Sequence, residues 1–78
     1  PPMAIIFVNG GRKDKLRAGD LLGALTASDE ISAPKIGKIT LFDKFAYVAV
    51  EQRIEKIALN ILADGKIKGK KFRVRRLR

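Results

Sequence analysis

Hydrophobic and polar residues alternate in four short segments of the chain and recur at helical spacing in two others. The alternating, β-branched and aromatic segments predict strands over 4–8, 36–42, 45–50 and 71–77. Leu21, Leu22 and Leu25 predict a helix over roughly 18–26, and the 3.6-residue recurrence from Ile54 to Leu62 predicts a clearer one over roughly 52–63. Turn residues separate these segments: Asn9-Gly10-Gly11 after the first strand, Asp43-Lys44 as a tight hairpin, and Gly65 after the second helix.

The order β-α-β-β-α-β predicts an α+β fold with a four-stranded antiparallel sheet and two helices. Both helices can bury their apolar sides on one face of such a sheet, which leaves the other face uncovered. Strand alternation assigns side chains to that uncovered face: Phe7 and Asn9 from the first strand, Lys38, Thr40 and Phe42 from the second, Phe45 and Tyr47 from the third, and Lys71, Arg73 and Arg75 from the last. Phe72 and Val74 are expected in the core.

Aromatic rings beside cations on an open sheet favour binding of single-stranded RNA. Unpaired bases stack on rings while Lys and Arg neutralise phosphates. Burial of Phe7 or Phe45 at an edge or under a loop is the alternative for each ring. Residues 43–50 are also similar to the third-strand signature of RNA recognition motifs, with Phe45 and Tyr47 at its aromatic positions; Asp43, Lys44 and Val50 depart from it.

Composition narrows the chemistry that the chain can perform. Its 78 residues make one domain, and it contains no cysteine and no histidine, so disulfides, thiolate metal sites and the commonest general base are excluded. We therefore expect no catalytic residues, no metal site and no cofactor in this domain. No apolar run approaches the length of a membrane span and no signal peptide is present, so no membrane partner is expected.

The charge is positive and concentrated late in the chain. Seventeen Lys and Arg against eight Asp and Glu give +9; residues 1–39 hold six basic and four acidic side chains, and residues 40–78 hold eleven and four. Eight of these cations lie in the last thirteen residues. Such clustering indicates a polyanionic partner, usually nucleic acid, although a merely solvated surface is the alternative.

Two basic loops are further candidates for phosphate contact. Gly10-Gly11-Arg12-Lys13 joins two glycines to two cations, so its backbone amides could approach a phosphate, although it lacks the spacing of a Walker loop. Residues 66–70 alternate cations around a turn.

Four stretches resemble the C-terminal domain of the DbpA family of bacterial DEAD-box RNA helicases: GGRKDKLRAGDLLGALT (10–26), IGKITLFD (36–43), AYVAV (46–50) and GKIKGKKFRVR (65–75). The resemblance covers nearly the whole chain. It implies a divergent RNA recognition motif over 4–78, with 1–3 as the end of a linker from two helicase domains. It also implies recognition of a 23S ribosomal RNA hairpin near the peptidyl-transferase centre, which targets the ATPase to assembling large subunits.

The resemblance also implies RNA-binding residues, cofactors and a location. The matching basic positions are Arg12, Lys13, Lys15 and Arg17 in the first motif and Lys66, Lys68, Lys70, Lys71, Arg73 and Arg75 in the last; Phe7, Lys38, Phe45 and Tyr47 on the sheet complete the predicted RNA-binding set. ATP and magnesium are expected in the helicase core rather than here. A cytoplasmic bacterial protein with a role in ribosome biogenesis is expected, and the isolated domain is expected to be monomeric.

Three alternatives to this reading remain. The related cold-shock helicases share a version of the IGxIxLF stretch with a different tail. A protein-interaction module of the same fold would place a protein on the uncovered sheet, although the basic tail disfavours it. Peripheral membrane binding is disfavoured because Glu51 and Glu55 offset Arg53 and Lys56 on the second helix.

Overall fold

The computed structural model of the chain describes residues 3–27, 29–65, 67 and 70–77. Its regular elements, in chain order, are β1 (Met3–Val8), α1 (Ala18–Thr26), β2 (Ile36–Leu41), β3 (Ala46–Glu51), α2 (Glu55–Asp64) and β4 (Val74–Leu77). Short 3₁₀ turns span Arg12–Asp14, Ala33–Lys35 and Gln52–Ile54. The predicted α+β fold with βαββαβ order is confirmed.

The four strands form one antiparallel sheet in the order β2-β3-β1-β4, so β2 and β4 are the edges. The register places Thr40, Tyr47, Phe7 and Arg75 in one row across all four strands. The neighbouring row pairs Ile39, Val48, Ile6 and Arg76. Because successive residues of a strand point to opposite faces, the first row lies on one side of the sheet and the second on the other.

The core lies between the sheet and the two helices. Ile6 and Val48 from the central strands, Leu21 from α1 and Ala58 and Leu62 from α2 are all fully buried. Burying an isoleucine, valine or leucine side chain stabilises the fold by about 1.5–3 kcal/mol. The opposite face of the sheet has no helix against it in the described residues, so its side chains are available to a partner.

The predicted start of α1 and end of α2 each have a local signal, whereas the predicted start of the second helix at residue 52 lies in the 3₁₀ turn Gln52–Ile54, three residues before α2 begins. The Asp20 carboxylate Oδ2 accepts a hydrogen bond of 2.9 Å from the Arg17 amide, which satisfies a donor at the start of α1. At the end of α2 the Gly65 amide donates to the Ile61 carbonyl at 2.9 Å. A Cβ at Gly65 would lie 2.7 Å from that carbonyl oxygen, so the close approach requires glycine.

The tight hairpin between the second and third strands is also present. β2 ends at Leu41 and β3 begins at Ala46, but the Phe42 amide donates to the Phe45 carbonyl at 2.8 Å and so extends the ladder by one pair. Asp43 and Lys44 are the two residues left at the tip, as the sequence predicted.

The predicted start of the last strand is wrong, because the strand begins at Val74 rather than at residue 71. Its partner β1 ends at Val8, and the chain before Val74 packs against the loop that follows β1. The ring of Phe72 lies on Gly10, where an added Cβ would be 2.4 Å from the Phe72 Cδ1. A single backbone bond, from the Asn9 amide to the Arg73 carbonyl at 2.8 Å, continues the contact past the strand.

Candidate nucleic-acid interface

Three aromatic rings form a stack across the hairpin end of the uncovered face. The centroids of Phe42 and Phe45 are 4.6 Å apart at an interplanar angle of 23°, and those of Phe45 and Phe7 are 5.7 Å apart at 22°. Rings lying side by side in one plane cannot come this close, so these rings pack face to face with an offset. Phe45 lies in the middle because β3 lies between β2 and β1.

Tyr47 lies beside this stack, one step further along β3. Its ring is tilted by 56° to Phe45 and 53° to Phe7, and it meets Phe42 edge-on at 72°. The centroid separations are 5.4, 6.1 and 5.6 Å, respectively. Phe7, Phe45 and Tyr47 therefore occupy the face that alternation assigned to them; their binding of RNA remains a prediction.

A cation closes the stack at the β4 edge. Arg75 pairs with Phe7 in the register of β4 and β1, and its guanidinium Cζ lies 4.9 Å from the centroid of the Phe7 ring. This is within the range of a cation–π contact, worth about 0.5–1 kcal/mol at an exposed site. These four side chains, Phe42, Phe45, Phe7 and Arg75, run obliquely to the register row of Thr40, Tyr47, Phe7 and Arg75, and we call them the aromatic row.

A groove of about 770 Å³ brings three predicted cations to the same edge. Lys71, Arg73 and Arg75 line it together with Phe7 and Asn9, and all three cations are exposed. Residues 70–76 carry five basic side chains and no acidic one. A phosphate backbone passing along β4 would therefore meet positive charge beside an aromatic surface.

Arg76 belongs to the opposite side of the sheet. Its Nη1 lies 3.4 Å from Oε1 of Glu55 on α2, and the two side chains are 52% and 18% exposed. An ion pair this exposed contributes about 0–1 kcal/mol. Strand alternation thus assigns Arg75 to the uncovered face and Arg76 to the contact between β4 and α2.

The backbone amides of the loop after β1 bond within the protein, although the sequence analysis expected them to approach phosphate. The Gly11 amide donates to Asp14 Oδ2 at 3.0 Å, and the Arg12 and Lys13 amides donate to the Phe42 and Asp43 carbonyls at 2.9 and 2.8 Å. These three amides are occupied within the protein, so the expectation is wrong for them. The glycine is needed for packing, since a Cβ at Gly11 would lie 2.2 Å from the Phe42 carbonyl oxygen.

The side chains of this loop form a second group of cations. Arg12, Lys15 and Arg17 line a groove of about 350 Å³ with Leu16, which is 2% exposed and anchors the loop to the core. Lys15 adopts a left-handed backbone conformation with φ of 62°, which turns the chain toward α1. Arg12, Lys15 and Arg17 are exposed, as is Lys13.

Of the four remaining predicted site residues, the structure describes Lys38 and Lys70. Lys38 is exposed in a bulge of β2, where two residues between Ile36 and Ile39 lie opposite one residue of β3. Lys70 is exposed, and its amide and carbonyl pair with Ile67 at 3.0 and 2.8 Å. Lys66 and Lys68 lie outside the described residues.

Phe42 is the residue that sequence reasoning undervalued. Alternation placed it on the uncovered face, but it was left out of the predicted RNA-binding set. At 39% it is the most exposed aromatic side chain of the described ranges. Its position directly before a two-residue hairpin was the available signal, because such a position is held by the hairpin pairing.

Metal sites and membrane-spanning helices are two further features on which the described residues bear. Within residues 3–27, 29–65, 67 and 70–77, no three or more metal-ligating side chains come together. Neither helix of the described chain is long and apolar enough to cross a membrane.

Comparison with known proteins identifies the family of this chain. Residues 5–76 match the family described as the DbpA RNA binding domain. The chain is 46% identical over 76 residues to the ATP-dependent RNA helicase DbpA of Escherichia coli (strain K12), covering 97% of this chain and 17% of that protein. It is 35% identical over 69 residues to the ATP-dependent RNA helicase DbpA of Bacillus subtilis (strain 168), covering 88% of this chain and 14% of that protein. The chain thus spans a small part of the length of these relatives.

Proposed function

The chain belongs to the DbpA RNA-binding domain family, and from that premise we propose that it targets an ATP-dependent DEAD-box RNA helicase to a hairpin of 23S ribosomal RNA during assembly of the large ribosomal subunit. The domain itself is not catalytic in this proposal. ATP, magnesium and the unwinding chemistry belong to the helicase core, outside this chain. We place the parent enzyme in the bacterial cytoplasm, where it acts on ribosomal precursors.

One observation carries the proposal: the guanidinium of Arg75 lies 4.9 Å over the Phe7 ring at the boundary between an aromatic surface and a basic edge. Lys71 and Arg73 line the same groove. Phosphate contacts along this edge supply affinity and fix the register of the RNA, whereas base contacts on the rings supply selectivity. A hairpin offers both kinds of group, because its loop bases are unpaired and its backbone is continuous.

The family match also supports the choice of parent enzyme over one of the alternatives. A DbpA domain is matched over 5–76, so we favour DbpA over the cold-shock helicases as the parent.

The net charge of +9 opposes self-association, and we propose that the isolated domain is a monomer.

The proposal is tested by titrating the 78-residue chain against separate hairpin fragments of 23S ribosomal RNA at several salt concentrations. We expect one hairpin to bind more tightly than the others at every salt concentration. Equal affinity for all fragments would leave only non-specific electrostatic attraction and would refute targeting.

The phosphate contacts are tested with single arginine variants in the same titration. Arg75→Ala should reduce the slope of log affinity against log salt by about 0.7, the value expected for one lost phosphate contact on single-stranded RNA. Arg53→Ala is the matched control, because Arg53 is 74% exposed and pairs with Glu51 at 3.0 Å at the far end of β3. An equal change in both variants would show that only overall charge matters.

A further inference from the structure

The aromatic row leaves few ring faces available to a base. Phe45 has Phe42 on one face and Phe7 on the other, at centroid distances of 4.6 and 5.7 Å. Phe7 has Phe45 on the β3 side and the Arg75 guanidinium, 4.9 Å away, on the β4 side. A base that stacks on Phe45 or Phe7 therefore competes with a neighbouring ring or, on the β4 side of Phe7, with the Arg75 guanidinium.

The outer face of Phe42 is in a different position. β2 is an edge of the sheet, so within the described part of the chain no strand lies beyond Phe42 to supply another ring. The side chain is 39% exposed, whereas Phe7, Phe45 and Tyr47 are all half-buried. The aromatic row therefore ends in a free face at β2 and in a guanidinium at β4.

We propose that Phe42 is a base-stacking residue, on whose outer face one unpaired RNA base continues the aromatic row. This inference rests on the proposed RNA-binding function and adds a residue and a position to it. It shifts the primary stacking contact from the centre of the sheet, where Phe7 and Phe45 were predicted to bind, to the β2 edge.

The backbone of Phe42 is held on both sides, which makes its ring a rigid contact. Its amide donates to the Phe45 carbonyl at 2.8 Å, and its carbonyl accepts from the Arg12 amide at 2.9 Å. Gly11 permits the second bond, since a Cβ there would lie 2.2 Å from the Phe42 carbonyl oxygen. A ring that is fixed before binding loses little conformational entropy when a base stacks on it.

The same backbone bonds bring cations to the stacking face. Arg12 and Lys13 are exposed, and their amides donate to the Phe42 and Asp43 carbonyls, so both residues lie next to the hairpin that carries the ring. Lys44 follows at the hairpin tip, and Asp43 is the one acidic residue among these four neighbours. A nucleotide at this edge therefore finds a ring for its base and a net positive surrounding for its phosphate, which favours RNA over an acidic protein segment.

The test compares two substitutions of Phe42 in the 78-residue chain, using a fluorescently labelled 23S hairpin that the wild-type protein binds. Phe42→Leu keeps an apolar side chain but removes the ring, and it should weaken binding by about 5- to 150-fold. Phe42→Trp keeps a stacking face and should retain wild-type affinity. Since the chain contains no tryptophan, the indole of F42W is a unique fluorophore, and stacking of a base should quench it.

Three controls separate stacking from loss of apolar surface, from charge and from unfolding. Met3→Ala removes an apolar side chain whose exposure, 42%, is close to the 39% of Phe42. Met3 lies at the other end of the uncovered face, so this substitution should leave the affinity unchanged. A blunt RNA duplex offers no unpaired base, so its weak binding should be equal for wild type and F42L. Thermal unfolding by circular dichroism reports whether F42L remains folded.

The outcomes distinguish this inference from the function on which it rests. Wild-type affinity of F42L for the hairpin, or unquenched F42W fluorescence in the bound complex, would overturn the role of Phe42 and leave the proposed function standing. If the wild-type chain selects no ribosomal hairpin, the targeting function itself fails. Binding of a protein partner that F42L abolishes, with RNA affinity intact, would assign the ring to a protein contact instead.

Discussion

Substitution by alanine should change the free energy of unfolding in opposite directions at two glycines of this chain. Gly11 lies against the hairpin backbone, where a Cβ would be 2.2 Å from the Phe42 carbonyl oxygen and 2.7 Å from the Phe45 amide nitrogen. Gly19 is the second residue of α1, and apart from its chain neighbours and its own helix backbone no described atom lies within 4 Å of the position of its Cβ. Alanine therefore meets backbone at one position and open space at the other.

The size of each change in the free energy of unfolding follows from what the alanine Cβ meets at that position. At Gly11 the loop has to retreat by about 1 Å to restore ordinary contact, which lengthens the Arg12 and Lys13 hydrogen bonds to the hairpin beyond bonding distance. Each bond contributes about 0.5–1.5 kcal/mol, so G11A should lower the free energy of unfolding by about 1–3 kcal/mol. At Gly19 alanine gains helix propensity, and G19A should raise the free energy of unfolding by about 0.5–1 kcal/mol.

Urea denaturation followed by circular dichroism measures both changes directly. A domain of this length is stable by about 4–12 kcal/mol, so a loss of 1–3 kcal/mol is readily resolved. Hydrogen exchange at the Arg12 and Lys13 amides provides a local readout, because both should exchange faster in G11A. If G11A were as stable as the wild type with both amides still protected, the account of this loop would be refuted.

Further substitutions test the core, a cap and the edge strand. Leu62→Ala should lower the free energy of unfolding by about 2–5 kcal/mol in denaturant titration, because the side chain is fully buried, whereas Leu22→Ala at 36% exposure should cost far less. Asp20→Ala should cost about 0.5–2 kcal/mol in the same assay, since the Arg17 amide loses its acceptor. Arg76→Ala should cost at most about 1 kcal/mol at low salt and weaken hairpin binding less than Arg75→Ala does, because Arg76 faces Glu55; equal losses of affinity would contradict the assigned faces.

The sequence predicted elements well where the signal was local. The bounds of α1 were predicted correctly because Leu21 and Leu25 share a helical face and Asp20 caps the first turn. The start of the last strand was predicted wrongly because alternation continues through residues 71–73 after its partner has ended. Which strand pairs with the last one, and in which register, is a tertiary property that the alternating pattern does not contain.

In the candidate site, too, the sequence predicted local features and missed those that depend on tertiary contacts. Alternation was sufficient to place Phe7, Tyr47 and Arg75 on one face, since each lies in a regular strand. It could not show that the rings cover one another's faces, which depends on strand order and on side-chain rotamers. Nor could it show that the amides of Arg12 and Lys13 bond to a hairpin about 30 residues later in the chain, so these amides were wrongly expected to be available to a phosphate.

The most direct test of the central claim is nuclear magnetic resonance mapping of the ¹⁵N-labelled chain during titration with its 23S hairpin. Binding on the uncovered face predicts the largest amide shifts at Phe7, Phe42, Tyr47 and Arg75, with Leu22 and Lys56 on the outer sides of the helices nearly unchanged. Shifts concentrated on the helices, with the strand amides unmoved, would contradict the claim that RNA binds the aromatic row and its basic edge.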